Sequence, residues 1–185
     1  MLQKRMQTYI GFLRGINVRG HHKVPMADLK AALSELGCKN MVTILNSGNV
    51  IFDLEETELH TLEIKIATHL EQRFGFGIPT FIKTKTEILS IIKSDPFESE
   101  EITVDKRAYI TFFRPENNAK LNLPWVSEDG AYKILECKAD SLISVLDVTV
   151  SKTTKAMAIV ERSFGKDVTT RNWKTLIRIE KKLLA

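Results

Sequence analysis

A chain of 185 residues with 43% hydrophobic and 27% charged side chains suits one globular domain or two small ones. No run approaches the ~20 apolar residues that span a bilayer, and Met1-Leu2-Gln3-Lys4-Arg5 has no apolar stretch behind its charges, so no membrane span or secretory signal is predicted and a cytoplasmic location is expected. Two scattered cysteines, Cys38 and Cys137, exclude a disulfide framework or zinc knuckle, and a formal charge of +4 permits an anionic metabolite or nucleic acid without requiring either.

Gln7 to Arg14 is rich in aromatic and β-branched residues and predicts a first strand. A loop follows from Gly15 to Val24. Pro25 suits a helix's first turn, and Met26, Leu29, Leu33 and Leu36 then mark one helical face that stops at Gly37. Val42 to Leu45 and Val50 to Phe52 predict a hairpin around Asn46-Ser47-Gly48-Asn49. Leu59, Leu62, Ile66 and Leu70 mark a second helix, ended by Phe74-Gly75. Ile78 to Lys83 is a strand, and Pro79 argues for an edge position. Thr84-Lys85-Thr86-Glu87 is a capping box for a helix running to about Lys93.

Strand, helix, strand, strand, helix, strand is the split βαβ order of ferredoxin-like folds. The predicted fold class is therefore α+β, with a ferredoxin-like βαββαβ unit over residues 1–95 and a linker over 96–106. Residues 107–185 read as a second, degenerate copy ending in a helix. Tyr9 to Arg14 matches Tyr109 to Arg114 at an offset of 100. Ile44-Leu45 against Ile134-Leu135, Phe74-Gly75 against Phe164-Gly165, and Ile78 and Thr80 against Val168 and Thr170 all match at 90. The change in offset predicts a shortened first helix, replaced by Pro115 to Trp125. Strands over Ala131–Cys137 and Leu142–Leu146 and helices over Thr154–Phe164 and Arg171–Leu184 complete the copy, with Thr170 as cap of the last helix.

This connectivity brings the loop after the first strand and the hairpin turn to one end of the sheet, with the Phe74-Gly75-Phe76-Gly77 junction beside them. Arg14, Asn17 and Lys23 then meet Ser47, Gly48 and Asn49 at a helix N-terminus, with Arg19 adding charge. Such a cluster suits a phosphate or carboxylate. The same residues can instead shape a loop and close a hairpin. A further cluster, Arg171, Asn172 and Trp173, opens the last helix at the opposite end of its own half. It can cap and pack, or it can contribute to a site.

No reaction is legible. His21 and His22 are adjacent, and His60 and His69 are nine apart, so no metal site is predicted. The glycines fit neither a Walker loop nor a dinucleotide fingerprint, so no cofactor is expected. Ser47 lacks an assigned base, and Asp28 and Asp53 are acids by position only. Three functions stay open: binding a small anionic ligand, binding RNA or single-stranded DNA by stacking on Tyr9, Phe12, Tyr109, Phe112 and Phe113, or a protein adaptor with no ligand. The oligomeric state is open.

Leu13-Arg14-Gly15-Ile16-Asn17-Val18, Lys23-Val24-Pro25-Met26, Ser47-Gly48-Asn49-Val50 and Thr170-Arg171-Asn172-Trp173 with Thr175, in this order, resemble the domain of unknown function 1697 family over about Thr8 to Leu184. The resemblance implies a bacterial α+β protein whose first part is ferredoxin-like, and implies no chemistry. Arg19 stands where the family commonly has glycine, and His22 where it often has asparagine. The stretch between Arg114 and Ala131 is shorter than is usual in the family.

Overall fold

The computed structural model describes residues 5–18, 20–117 and 119–185, so Arg19 lies outside the described residues. The fold is α+β with two antiparallel sheets. The chain through Ser90, together with Lys181–Ala185, makes one compact unit, and Ile91–Glu180 makes the other. Among the described residues no helix is long and apolar enough to cross a membrane.

In the first unit the elements are β1 (Met6–Leu13), α1 (Met26–Glu35), β2 (Lys39–Ile44), β3 (Asn49–Glu55), α2 (Leu59–Phe74), β4 (Thr80–Thr84) and α3 (Lys85–Lys93). The sheet order is β2-β3-β1-β4. Central β1 pairs β3 with Tyr9 opposite Phe52, and β4 with Leu13 opposite Thr80. Tyr9 and Leu13 project from one face into a core with Phe52, Leu29 and Leu33 of α1, and Leu62, Ile66 and Leu70 of α2. The intervening Ile10 and Phe12 are also buried, which is why β1 reads as unbroken hydrophobicity rather than an alternation.

Helix ends follow local chemistry. Glu58 caps α2 by accepting from the N–H groups of His60 and Thr61, and Gly75, at φ +79°, closes it. Thr84 and Glu87 form the reciprocal capping box: Thr84 N–H donates to Glu87 Oε2 (2.8 Å) and Glu87 N–H to Thr84 Oγ1 (3.1 Å). Pro25 sits one residue before α1, at the cap position. The hairpin strands extend beyond the expected segments, because β3 continues to Glu55 against β1.

In the second unit the elements are β5 (Lys106–Phe113), β6 (Trp125–Val126), β7 (Tyr132–Cys137), β8 (Ser141–Asp147), α4 (Thr153–Phe164), β9 (Val168–Asn172) and α5 (Trp173–Leu183), which continues into Lys181–Ala185 of the first unit. The order β6-β7-β8-β5-β9 repeats that of the first sheet with β6 added at one edge. Among the described residues no α-helix stands between β5 and β7; residues 115–117 form one 3-10 turn. Ala119, Leu121 and Trp125 pack on the core from this segment, beside Tyr109, Phe113, Tyr132 and Phe164.

Three sequence expectations change. With β1 and β5 aligned at 100, the register takes Phe52 to Ser144, an offset of 92, and Thr80 to Val168, an offset of 88. Thr80 and Thr170 are therefore not counterparts. Ile44 and Ile134 are not counterparts either: Ile44 lies opposite Asn49, beside Phe12, whereas Ile134 lies opposite Ser144, beside Tyr109. The Phe-Gly helix endings do coincide in role, since Gly75 and Gly165 both follow their helix at φ +79°. The loop from Gly165 to β9 is then two residues shorter than that from Gly75 to β4.

The last helix also starts later than expected. Thr170 and Arg171 pair with Thr111 and Ile110 in the sheet, and the Thr170 hydroxyl lies 2.7 Å from that of Thr111. The cap is Asn172, whose Oδ1 accepts from the Lys174 N–H at 2.9 Å. The ladder hydrogen bonds overrode the threonine cap signal. The buried stripe of α5 is Leu176, Ile179 and Leu183; Leu184 is exposed.

Candidate functional site

The loop after β1 and the β2–β3 turn meet at one rim of the first sheet. The Leu13 N–H donates to the Gly48 carbonyl at 2.8 Å, extending the β1–β3 ladder into the turn. Asn17, in left-handed geometry (φ 55°), joins the two segments through its side chain. Its amide donates to Val24 O (3.0 Å) and Asn46 O (2.8 Å), and its Oδ1 accepts from the Val24 N–H (2.8 Å). Asparagine is among the few non-glycine residues at home in this conformation.

Gly48 has a steric reason. At φ +80° it lies so close to β1 that a Cβ would stand 2.8 Å from Leu13 Cβ and 3.1 Å from Leu13 O. Asn49 is buried and donates to Ile44 O (2.9 Å) and Ser47 Oγ (3.0 Å). Asn17, Gly48 and Asn49 therefore build the rim's backbone. The α2–β4 junction reaches the same rim. The Arg14 N–H donates to Pro79 O at 2.9 Å, and the His22 ring stacks on Phe76 at 4.3 Å.

Arg14 is half-buried, and Lys23 and Ser47 are exposed there. Helix α1 starts after Pro25 with no side-chain cap, so its first N–H groups are left to other acceptors. This arrangement can hold an anion by charge and by donated hydrogen bonds. Among the described residues no group of three His, Cys, Asp or Glu is placed to hold a metal.

The Arg171–Trp173 cluster lies in the second unit. Asn172 is opposite Tyr109, near the start of β5, so it sits at the other end of that sheet from Arg114 and the β7–β8 turn. The Arg171 guanidinium folds back on Thr169 Oγ1 (2.9 Å) and Thr170 O (3.0 Å), and burial pulls its pKa down to about 10. Asn172 and Trp173 line a cavity of about 360 Å³. Sequence reasoning missed its cations, Lys106, Arg107 and Lys174. The available signal was β5–β9 pairing, which carries residues just past Asn172 alongside Arg107.

Both cysteines are free thiols; burial pushes Cys38 up to about 11. The strand aromatics Tyr9, Phe12, Tyr109, Phe112 and Phe113 are all buried, so none presents a face for a base to stack on.

Among solved structures, the conserved bacterial protein SP0830 from Streptococcus pneumoniae matches at 22% identity and a TM-score of 0.73. That match covers 98% of this chain and 100% of the other, and it shows a shared fold. An unknown protein from Galdieria sulphuraria matches at 14% identity over 91% of this chain and 98% of its own, with a TM-score of 0.27. No curated protein sequence matches. The family described as protein of unknown function (DUF1697) matches residues 6–136, which hold the Arg14, Lys23 and Ser47 motifs but not the Thr170–Trp173 motif. The chain belongs to that DUF1697 family.

Proposed function

We propose that this protein binds a small anionic ligand, phosphorylated or carboxylated, at the rim built by the 14–23 loop and the 46–49 turn. The reading takes both units as ferredoxin-like, the second a degenerate copy that has lost its first helix. The observation that carries the function is the Asn17 side chain, which closes the loop with two hydrogen bonds to Val24 and ties it to the turn with one to Asn46. A rim fixed before a ligand arrives loses little entropy on binding. Arg14, Lys23 and Ser47 supply charge and a hydroxyl on that scaffold, and the uncapped start of α1 adds N–H donors and the positive end of the helix dipole.

A thermal-shift screen with inorganic phosphate, citrate and sugar phosphates tests this, because a ligand that binds only the folded state raises Tm. At least one of these anions is expected to stabilise the wild type. Lys23→Ala and Arg14→Ala should each abolish that shift with little change in the ligand-free Tm. A large ligand-free loss in Arg14→Ala would make Arg14 a structural residue. A wild type that none of these anions stabilises would end the reading.

A further inference from the structure

We propose that the second unit has its own binding site, for a nucleoside phosphate: the aromatic head against Trp173, the phosphate on the cations that flank Asn172. The site is independent of the rim on the first unit.

The cavity at Trp173, about 360 Å³, falls in the size range of small-molecule sites. Its lining combines two chemistries. Phe97, Ile102, Ala108 and Trp173 are apolar. Phe97 is buried and meets the Trp173 ring edge-on, with centroids 5.0 Å apart and planes at 67°. That contact fixes the indole plane while Trp173 itself stays partly exposed. A held, partly exposed indole is a stacking surface for a planar ring.

Lys106, Arg107 and Lys174 are its cations, and no carboxylate lines it among the described residues. Arg107 is positioned by its own backbone neighbourhood: Nη1 donates to Val104 O (2.6 Å). The rest of the guanidinium is left to a ligand. Asn172 spends its Oδ1 on the Lys174 N–H, which orients the amide and leaves its Nδ2 hydrogens as donors.

A second, shallower depression of about 500 Å³ shares Val104, Arg107, Asn172 and Lys174 with the cavity and adds Thr175 and Arg178. Lys174 and Arg178 are four residues apart on α5, so like charges share one helix face. Such a pair opposes helix formation, and a bound dianion would reverse its sign. Apolar pocket and basic shelf are thus joined through common residues. A ligand that fills both has a flat ring at one end and a multiply charged anion at the other. The pocket holds one ring rather than a run of bases, which favours a single nucleotide over a strand.

Calorimetry and tryptophan fluorescence with AMP test the proposal. The chain has two tryptophans, so Trp125→Phe leaves Trp173 as sole reporter, with calorimetry on the wild type as a measurement independent of that substitution. AMP should bind saturably and quench Trp173. Adenosine should bind at least tenfold more weakly, and inorganic phosphate should cause no quench. Lys174→Glu with Arg178→Glu, both at exposed positions, should weaken AMP at least tenfold at unchanged Tm. Arg14→Ala should leave the quench intact, which separates this site from the first rim. The proposal is overturned if millimolar AMP gives neither heat nor quench, or if the double charge reversal leaves its affinity unchanged. Quenching by single-stranded oligonucleotides alone, with steep salt dependence, would also overturn it and mark a nucleic-acid surface.

Discussion

The two units repeat a strand order but treat the same bend in opposite ways. At the end of β1, Leu13 and Arg14 are followed by a long loop and α1; at the end of β5, Phe113 and Arg114 are followed, among the described residues, by a 3-10 turn and no α-helix. The partners differ too. The Leu13 N–H reaches Gly48 O, whereas the Phe113 N–H reaches Asp140 O. The residue before β4 is Pro79, whereas the residue before β9 is Asp167. Two positions that are glycine and proline in one unit are thus aspartates in the other. Arg114 is committed to Asp167, with Nε donating to Oδ2 at 2.7 Å, while the rim of Arg14 has no acid at either matching position. The second unit's arginine meets an aspartate at a position that is proline in the first.

The largest expected break of this comparison is Gly48→Ala. A Cβ at 2.8 Å from Leu13 Cβ, on a backbone at φ +80°, should cost about 3 kcal/mol or more, read as a fall in the denaturation midpoint. Asp140→Ala, at the matching position, adds no Cβ to the backbone and should cost less. Next comes Asn17→Ala, which removes two hydrogen bonds within the loop and one between loop and turn. It should cost about 2 kcal/mol and raise amide exchange at Val24.

Pro79→Asp moves the second unit's acid into the first. Pro79 is exposed, so stability should fall by no more than about 1 kcal/mol. Any stabilisation of the wild type by inorganic phosphate should disappear, and persistence of the shift would show that the absent acid is irrelevant. The smallest effect concerns acid. Hydrogen bonds from Lys155 and Ser127, and then from the Ala131 N–H, hold the Asp129 carboxyl well below the usual carboxylate range. The folded-state pKa lies below the unfolded value of about 3.9, so this contribution is complete above about pH 4 and is lost as pH falls further. Asp129→Asn should flatten the acid limb of a urea-midpoint profile taken between about pH 2 and 6. Glu58→Gln should do the same in the first unit, where Thr61 and His60 lower Glu58.

What the sequence made legible was periodic or punctuated. The α2 spacing, the Phe-Gly stops and the Thr84–Glu87 box all correspond to observed elements. What it hid depends on long-range pairing. Thr170 looks like a helix cap until Thr111 claims it in the ladder. The repeated strand order was visible in β1 and β5, yet the hairpins carry different offsets because bulges and loop lengths shift the register without leaving a local mark. Arg14, Asn17, Ser47 and Gly48 were found together because connectivity alone joins their loops. Arg107 and Lys174 were missed because only the β5–β9 register makes them neighbours.

Helix α5 runs across the boundary between the units, and Leu183 returns to the first one, where its carbonyl accepts from Lys85 Nζ at 2.8 Å. The first unit is therefore discontinuous: its early strands cannot be joined by their last tether until some ninety later residues have left the ribosome. The peptide chain also crosses between the units twice, so a single protease nick at either crossing leaves Lys181–Ala185 held to the rest of the first unit by noncovalent contacts alone.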